Sequence, residues 1–236
     1  IGSYALQSAL TATDCTAVGN GALQVCTAGF TTAVGSAAAG SLTSGTQNTA
    51  VGRLASYRNV TGSRNTSVGF TALQGVLSNS HSDNTAVGNA ALFAVTTGGT
   101  NTAVGSLAAD AITTGANNTV VGYNALGTAT TALNNVVIGS GAMASVPAAQ
   151  AVSDCIAIGY GAMTGVAGTT STASNNVAIG TSALNVVTTG TQNIAIGNSA
   201  LAAQTTGLQN VAIGYNAMSG YVGTGGGNVA LGVYAG

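Results

Sequence analysis

Apolar and polar positions repeat along the whole chain with a period close to 17 residues. A glycine that follows an aliphatic residue recurs fourteen times, and eight of the thirteen intervals between these glycines are 17 residues long. Before the glycine, as in Asn193–Gly197, an asparagine precedes two larger residues that flank a small one, and alanine stands three positions after every glycine. Such a fixed period is typical of a protein built from stacked units. The glycines are Gly2, Gly19, Gly35, Gly52, Gly69, Gly88, Gly105, Gly122, Gly139, Gly159, Gly180, Gly197, Gly214 and Gly232.

Each unit predicts a short β segment that ends at the glycine, a second short segment, and a closing turn such as Thr96–Gly98. The unit is too short for a helical hairpin, and its Thr, Val, Ile and Gly disfavour helix. We therefore predict an all-β fold, a β-solenoid of about 13 coils, over residues 1–236 with no internal domain boundary. The longer intervals are expected to hold surface loops, around 78–83, 147–153 and 169–174.

The segment before each glycine presents two faces, because successive side chains of a strand point to opposite sides. Val177 and Ile179 therefore share one face, and Ala178 lies on the other. Since both faces are apolar in the second half, we expect the coil to cover one face and another chain to cover the other, most simply in a closed trimer. The first half has threonine at the first of these positions, so we expect its chain association to differ. These threonines are Thr16, Thr32, Thr49, Thr66, Thr85, Thr102 and Thr119.

Asparagine stands four positions before the glycine in ten units. Stacked amides can hydrogen-bond along the solenoid and fix its register without charge, so a structural ladder is the favoured interpretation. A row of amides that binds a ligand such as sugar is the alternative. The ten residues are Asn48, Asn65, Asn84, Asn101, Asn118, Asn135, Asn176, Asn193, Asn210 and Asn228.

Composition narrows the function classes, because only 3% of the residues are charged and neither Lys nor Glu occurs. Acid–base and metal chemistry need clusters of ionisable side chains, and nucleic-acid surfaces need Lys and Arg. No apolar stretch is long enough to span a bilayer. We therefore predict a protein that is not an enzyme, with no cofactor, metal, nucleic-acid partner or membrane insertion.

The repeat itself resembles those of known fibrous proteins. Asn176–Gly180 and Asn210–Gly214 are similar to the head repeats of YadA-like trimeric autotransporter adhesins. The longer unit, Asn84–Leu92 followed by Thr96–Gly98, resembles repeats in tail-fibre and spike proteins of phages and large viruses more closely. The resemblance implies a trimeric β-solenoid with an attachment role on a virion or cell surface. The unit is longer than that of the adhesin heads, which places the bacterial interpretation second. Because the chain begins and stops inside units, we expect a slice of a longer protein whose missing segments contact a glycan or receptor.

Cysteine and histidine supply few candidates for chemistry. Cys15, Cys26 and Cys155 form an odd set without metal-ligand spacing, so packed thiols are expected, with a Cys15–Cys26 disulfide as the alternative. His81, Ser82 and Asp83 are adjacent in one loop and cannot adopt the geometry of a catalytic triad. A solvated loop is expected there.

The positive charges and some aromatic residues are the remaining candidates. Arg53, Tyr57, Arg58 and Arg64 bring all the positive charge into two units, and a contact with an anionic glycan or partner is the alternative to simple solvation. The position after the repeat glycine holds four aromatic rings, which could stack on sugars. These rings belong to Phe70, Tyr123, Tyr160 and Tyr215.

The leading hypothesis is therefore the shaft of a trimeric surface fibre. An ice-binding solenoid is the first alternative because of the threonine rows, although the row near the turns breaks at Thr43–Ser44 and Val60–Thr61. A self-assembling extracellular filament is another alternative. A polysaccharide lyase would need carboxylate and cationic clusters that the chain lacks.

Overall fold

The computed structural model describes residues 2–8, 11–27, 29–76, 80–146, 152–166 and 172–236. These residues form thirteen β-strands of three residues each and no helix, which confirms the predicted all-β class. By its internal contacts the chain divides into two compact units, residues 1–116 (unit 1) and 117–236 (unit 2). The strands of unit 1 are β1 (Thr16–Val18), β2 (Thr32–Val34), β3 (Thr49–Val51), β4 (Thr66–Val68), β5 (Thr85–Val87) and β6 (Thr102–Val104). Those of unit 2 are β7 (Thr119–Val121), β8 (Val136–Ile138), β9 (Ile156–Ile158), β10 (Val177–Ile179), β11 (Ile194–Ile196), β12 (Val211–Ile213) and β13 (Val229–Leu231).

Within each unit, every strand pairs in parallel with the next strand of the sequence. The register has no offset, so Ala33 pairs with Ala50 in unit 1 and Ala178 with Ala195 in unit 2. One circuit of about 17 residues therefore returns the chain to the neighbouring strand, which is the predicted β-solenoid. Thirteen strands enclose about twelve turns. The prediction of about 13 coils also counted the interval that starts at Gly2, where the described residues contain no strand.

The core of each turn is narrow and is filled by small and medium side chains. The central residue of each strand points inward and is buried, as in Ala178 and Ala195. Alanine three residues after the repeat glycine and Leu or Met in the following position complete the core, as in Ala125 and Leu126. Because successive side chains of a strand point to opposite sides, the first and last residues of each strand point away from this core.

The second segment of each unit consists of successive turns instead of a strand. Ala142 and Met143 are adjacent and both buried, which a strand does not allow. Ala142 N–H donates within its own turn to Gly139 O (3.3 Å), whereas Met143 N–H donates to Ala162 O of the next coil (3.0 Å). Met143 has a φ of +50°, a left-handed conformation that costs a non-glycine residue about 1–2 kcal/mol. The hydrogen bond to the next coil and the burial of the Met143 side chain offset this cost.

The extended loops predicted in the longer intervals fall partly outside the described residues. Residues 77–79, 147–151 and 167–171 lie outside them, including Pro147. The described parts of the same intervals keep the solenoid register, since Ser153 N–H donates to Ser174 Oγ at 3.1 Å.

Candidate functional site

The asparagines of the predicted ladder form buried hydrogen bonds from one coil to the next. Asn193 shows the arrangement, because its Nδ2 donates to Asn176 Oδ1 (3.1 Å) and Gly207 O (2.9 Å). Its Oδ1 accepts from the backbone N (3.0 Å) and Nδ2 (3.1 Å) of Asn210. A carboxamide offers two donor hydrogens and two acceptor lone pairs, so the hydrogen-bonding capacity of Asn193 is filled.

The same contacts recur along both units. Oδ1 of one asparagine accepts from the next in the pairs Asn48–Asn65, Asn65–Asn84, Asn84–Asn101, Asn118–Asn135, Asn176–Asn193, Asn193–Asn210 and Asn210–Asn228. Nine of the ten asparagines are at most 2% exposed, and Asn228 is half-buried. Side chains this deep cannot form a sugar-binding row, so the geometry favours the structural ladder.

Other residue types interrupt the ladder. Cys155 occupies its position in one coil, where its backbone N–H donates to Asn135 Oδ1 at 3.0 Å. Its single S–H lies within reach of two acceptors, Ser153 O (3.4 Å) and Ala173 O (3.3 Å). Burial raises the pKa of this thiol to about 11. Thr31 occupies another ladder position, and its buried Oγ1 lacks a hydrogen-bond partner among the described residues.

The repeat glycines form a column in which the backbones of successive coils come close together. A Cβ placed on Gly35 would lie 2.5 Å from Gly52 O in the next coil, and Gly35 has a φ of +137°. Both the space and the backbone conformation therefore require glycine. The same close approach recurs along each unit, for example from Gly180 to Gly197.

A second column of polar side chains lies directly before the asparagine ladder and was not predicted. Asn117 Nδ2 donates to Asn134 Oδ1 (3.2 Å), and Asn134 Nδ2 donates to Asp154 Oδ1 (3.0 Å). Gln209 Nε2 likewise donates to Gln192 Oε1 at 3.4 Å. These residues are exposed and form an outer row of side-chain pairs between adjacent coils. Their regular place before each ladder position was the sequence feature that could have revealed them.

Two arginines of the candidate contact patch, Arg53 and Arg64, have side-chain partners inside the chain. Arg64 belongs to the outer polar row, where its Nε and Nη2 donate to the carboxylate of Asp83 at 2.6 and 2.9 Å. These hydrogen bonds lower the pKa of Asp83 and raise that of Arg64. Arg53 lies 5.5 Å from the centre of the Phe70 ring in a cation–π contact. Tyr57 and Arg58 are half-buried, and no described contact joins the four residues of the patch.

The predicted solvated loop at His81–Asp83 is wrong for His81. The His81 side chain is 1% exposed, and neither ring nitrogen has a hydrogen-bond partner among the described residues. Burial lowers the pKa of His81 to about 4. His81 is buried because its backbone belongs to the regular coil. His81 O accepts a hydrogen bond from the ladder residue Asn65 (Nδ2, 2.8 Å), just as Gly62 O accepts one from Asn48 Nδ2 (3.0 Å).

The three cysteines form no disulfide within the part of the chain that the structure describes, so the Cys15–Cys26 alternative is not observed. Cys26 and Cys155 are buried and Cys15 is half-buried. Two buried amides that the sequence analysis missed, Asn59 and Gln204, occupy the core position of Cys26 in other coils. Asn59 Oδ1 accepts from Gly62 N–H at 2.9 Å and Gln204 Oε1 from Gly207 N–H at 3.0 Å, so both close a turn from inside.

The outward residues of the strands differ between the two units. In unit 1 each strand presents one threonine and one valine, as at Thr49 and Val51. From β8 to β13 both outward residues are aliphatic, and Ile156, Ile194 and Ile213 are 36–39% exposed. The difference in outward residues that the sequence shows between its two halves therefore corresponds to two outward faces. The face of unit 1 combines threonine and valine, and the face of β8–β13 is apolar.

Groups of three or more potential metal ligands are absent from the described residues. The same residues contain no helix with the length and hydropathy needed to cross a membrane. Comparison of the chain with protein-family models, curated proteins and solved structures finds no match. The resemblance to fibre and adhesin repeats therefore stays a prediction.

Proposed function

We propose that the chain is a non-catalytic structural segment of a homo-oligomeric fibre, with three copies around a common axis, on the surface of a virion or cell. The observation that carries this proposal is the apolar outer stripe of unit 2, formed by the twelve outward residues of β8–β13. These side chains leave apolar surface on the order of a few hundred Å² in contact with water, and exposed patches of that size mark interaction surfaces.

A second copy of the chain is the partner that fits this stripe. The stripe repeats with the spacing of parallel strands, about 4.8 Å, and a partner must match that period to contact every row. Another copy has the required period and the same aliphatic rows. Asp154 is the only charged residue in unit 2, so copies would associate with little electrostatic repulsion. A closed three-fold arrangement covers the stripe of every copy.

The native mass of the purified chain tests this proposal. Light scattering coupled to size exclusion is expected to give three times the chain mass of 22.3 kDa. Replacing Ile194 and Ile213 with serine is expected to shift this mass toward one copy. The control is Leu208→Ser, which removes an aliphatic side chain of similar exposure (45%) outside the strands and should leave the mass unchanged. A single-chain mass for the natural sequence would overturn the proposal, and an open-ended distribution would favour the filament.

The face of unit 1 favours ice binding as a second candidate. The first residues of β1 to β6 are threonines that lie in register on adjacent strands without interruption, and each is at least partly exposed. They are Thr16, Thr32, Thr49, Thr66, Thr85 and Thr102. This row is more regular than the turn threonines, of which Thr43 and Thr96 donate their hydroxyls to backbone carbonyls. Thermal hysteresis of the natural chain that is lost in Thr49→Lys would support ice binding, and its absence in the natural chain would exclude it.

A further inference from the structure

The residues that follow the repeat glycines of unit 2 form an exposed row along the solenoid. Their backbones are in register, because Tyr123 O accepts from Gly141 N–H (3.0 Å) and Tyr160 O from Ser182 N–H (2.9 Å). Tyr215 O accepts in the same way from Tyr234 N–H (2.9 Å). Every member of the row has an exposed side chain. From Gly122 to Gly214, the row in chain order is Tyr123, Ser140, Tyr160, Thr181, Asn198 and Tyr215, and the aliphatic Val233 follows the last glycine, Gly232.

The three tyrosine rings of this row are largely exposed to solvent. Tyr123, Tyr160 and Tyr215 are 59%, 68% and 47% exposed, respectively. Tyr160 lies two coils from Tyr123 and Tyr215 lies three coils from Tyr160, which corresponds to about 10 and 14 Å at the spacing of parallel strands. The Tyr215 ring packs edge-on against Tyr234 with 5.4 Å between ring centres, so this ring has a preferred orientation.

Two further features indicate the chemistry of the ligand. They are the residues between the tyrosines and the low charge of unit 2. Ser140, Thr181 and Asn198 can each donate and accept hydrogen bonds. The row has no charged member. The single charged residue of unit 2, Asp154, lies in the outer polar row, where its Oδ1 accepts a hydrogen bond from Asn134 Nδ2. A Cβ placed on Gly141 would meet no atom within 4 Å, so the backbone beside Tyr123 is open to a ligand. The row offers no positive charge that could pair with an anionic ligand, whereas a neutral ligand needs no such charge.

From this geometry we infer that the row from Tyr123 to Tyr215, which we call the tyrosine row, binds an extended neutral polysaccharide along the solenoid. The C–H face of a pyranose ring packs on an aromatic ring, and hydroxyl groups along the chain bond to the serine, threonine and asparagine between the rings. A straight row requires a straight ligand, so flat β-1,4-linked chains fit and helical α-1,4-linked chains do not. The inference uses residues of unit 2 alone and does not depend on association of the chain.

Binding to defined oligosaccharides tests the tyrosine row. Cellohexaose and chitohexaose are titrated into the whole purified chain, and calorimetry and tyrosine fluorescence report binding; maltohexaose and heparin are the comparison ligands. Binding of at least one β-1,4-linked hexaose, with weaker or no binding of maltohexaose and heparin, is expected. Equal binding of maltohexaose, stronger binding of heparin, or no binding of either β-1,4-linked hexaose would overturn the inference.

Variants of the row separate ring stacking from a structural effect. Tyr160→Ala is expected to weaken binding by about threefold to tenfold, and Tyr160→Phe to retain most of it, because the ring supplies the contact. The matched control is Tyr4→Ala, which removes a tyrosine of comparable exposure (60%) from unit 1. Affinity that is unchanged in Tyr160→Ala, or reduced equally in Tyr4→Ala, would refute the assignment. Because Tyr160 is exposed, the Ala variant should keep the far-ultraviolet circular dichroism of the natural chain.

Discussion

Replacing Asn193 with alanine tests whether the asparagine ladder stabilises the fold. The side chain is fully buried and makes four hydrogen bonds. In Asn193→Ala, Gly207 O loses a donor, and the backbone N–H and side-chain amide of Asn210 both lose their acceptor. Asn176 Oδ1 keeps the bond from the backbone N–H of residue 193, at 2.8 Å. Three buried groups are therefore left without these partners, and Asn176 Oδ1 loses one of its two hydrogen bonds.

Each buried polar group left without a partner costs about 1–3 kcal/mol, so we expect the three groups together to lower the free energy of unfolding by roughly 3–9 kcal/mol. Asn198→Ala is the matched control from the same coil, because Asn198 is exposed and its Oδ1 accepts one hydrogen bond, from Ser199 Oγ. Its effect should stay within about 0.5 kcal/mol. The ladder predicts this difference from burial and pairing alone, since both substitutions remove the same atoms.

Guanidinium chloride unfolding followed by circular dichroism, at one fixed chain concentration, measures the two effects. Hydrogen exchange supplies a local measurement, because the Asn210 N–H should lose protection in Asn193→Ala and keep it in Asn198→Ala. Asn193→Asp adds a pH test, since burial raises the pKa of the new carboxyl group. Its stability should therefore fall as the pH rises through that pKa. Equal stability of the two Ala variants would refute the structural role of the ladder.

Three further predictions follow from single positions. Gly180→Ala places a Cβ 2.6 Å from Gly197 C and should prevent native stacking of the coils. The measurement is loss of the cooperative unfolding transition. The control is Gly220→Ala, whose Cβ meets no atom within 4 Å and which should fold normally. His81 has a pKa lowered from 6.5 to about 4, so the unfolded chain binds its proton first as the pH falls. Stability should drop by about 3 kcal/mol between pH 6.5 and 4, a drop that His81→Met removes in pH-dependent unfolding. Cys155→Asn should raise the midpoint of thermal unfolding, since a carboxamide there can continue the ladder from Asn135 to Asn176, worth about 1 kcal/mol; a lower midpoint would contradict this.

The sequence predicts the part of each unit in which every coil carries the same residue types. The strands, the asparagine column and the glycine column all lie where the repeat places them, because parallel stacking puts equivalent positions of neighbouring coils side by side. Asn193 therefore meets Asn176 and Asn210. Periodicity alone is sufficient for such contacts, since the partner of each residue is its own equivalent.

The turn segment could not be predicted in the same way. Leucine and methionine rarely adopt positive φ, yet Leu126 and Met143 both do so here. Sequence propensity records the local cost of this conformation, whereas the compensation comes from the next coil, as in the bond from Leu126 N–H to Ala142 O at 2.9 Å. The buried adjacent pair Ala125 and Leu126 was the available indication, because neighbouring residues of a strand cannot both face the core.

The near absence of charge follows from the same stacking rule. A charged residue type repeated in every coil would place like charges about 5 Å apart, with a repulsion of about 1 kcal/mol per pair even in water. Amides avoid this because each can donate to one neighbour and accept from the other, as Asn134 does between Asn117 and Asp154. The outer polar row tolerates charge where the neighbour is opposite, as in Arg64 and Asp83. Stacking of equivalent positions therefore disfavours any charged residue type that recurs in every coil, and it allows an isolated pair of opposite charges in adjacent coils.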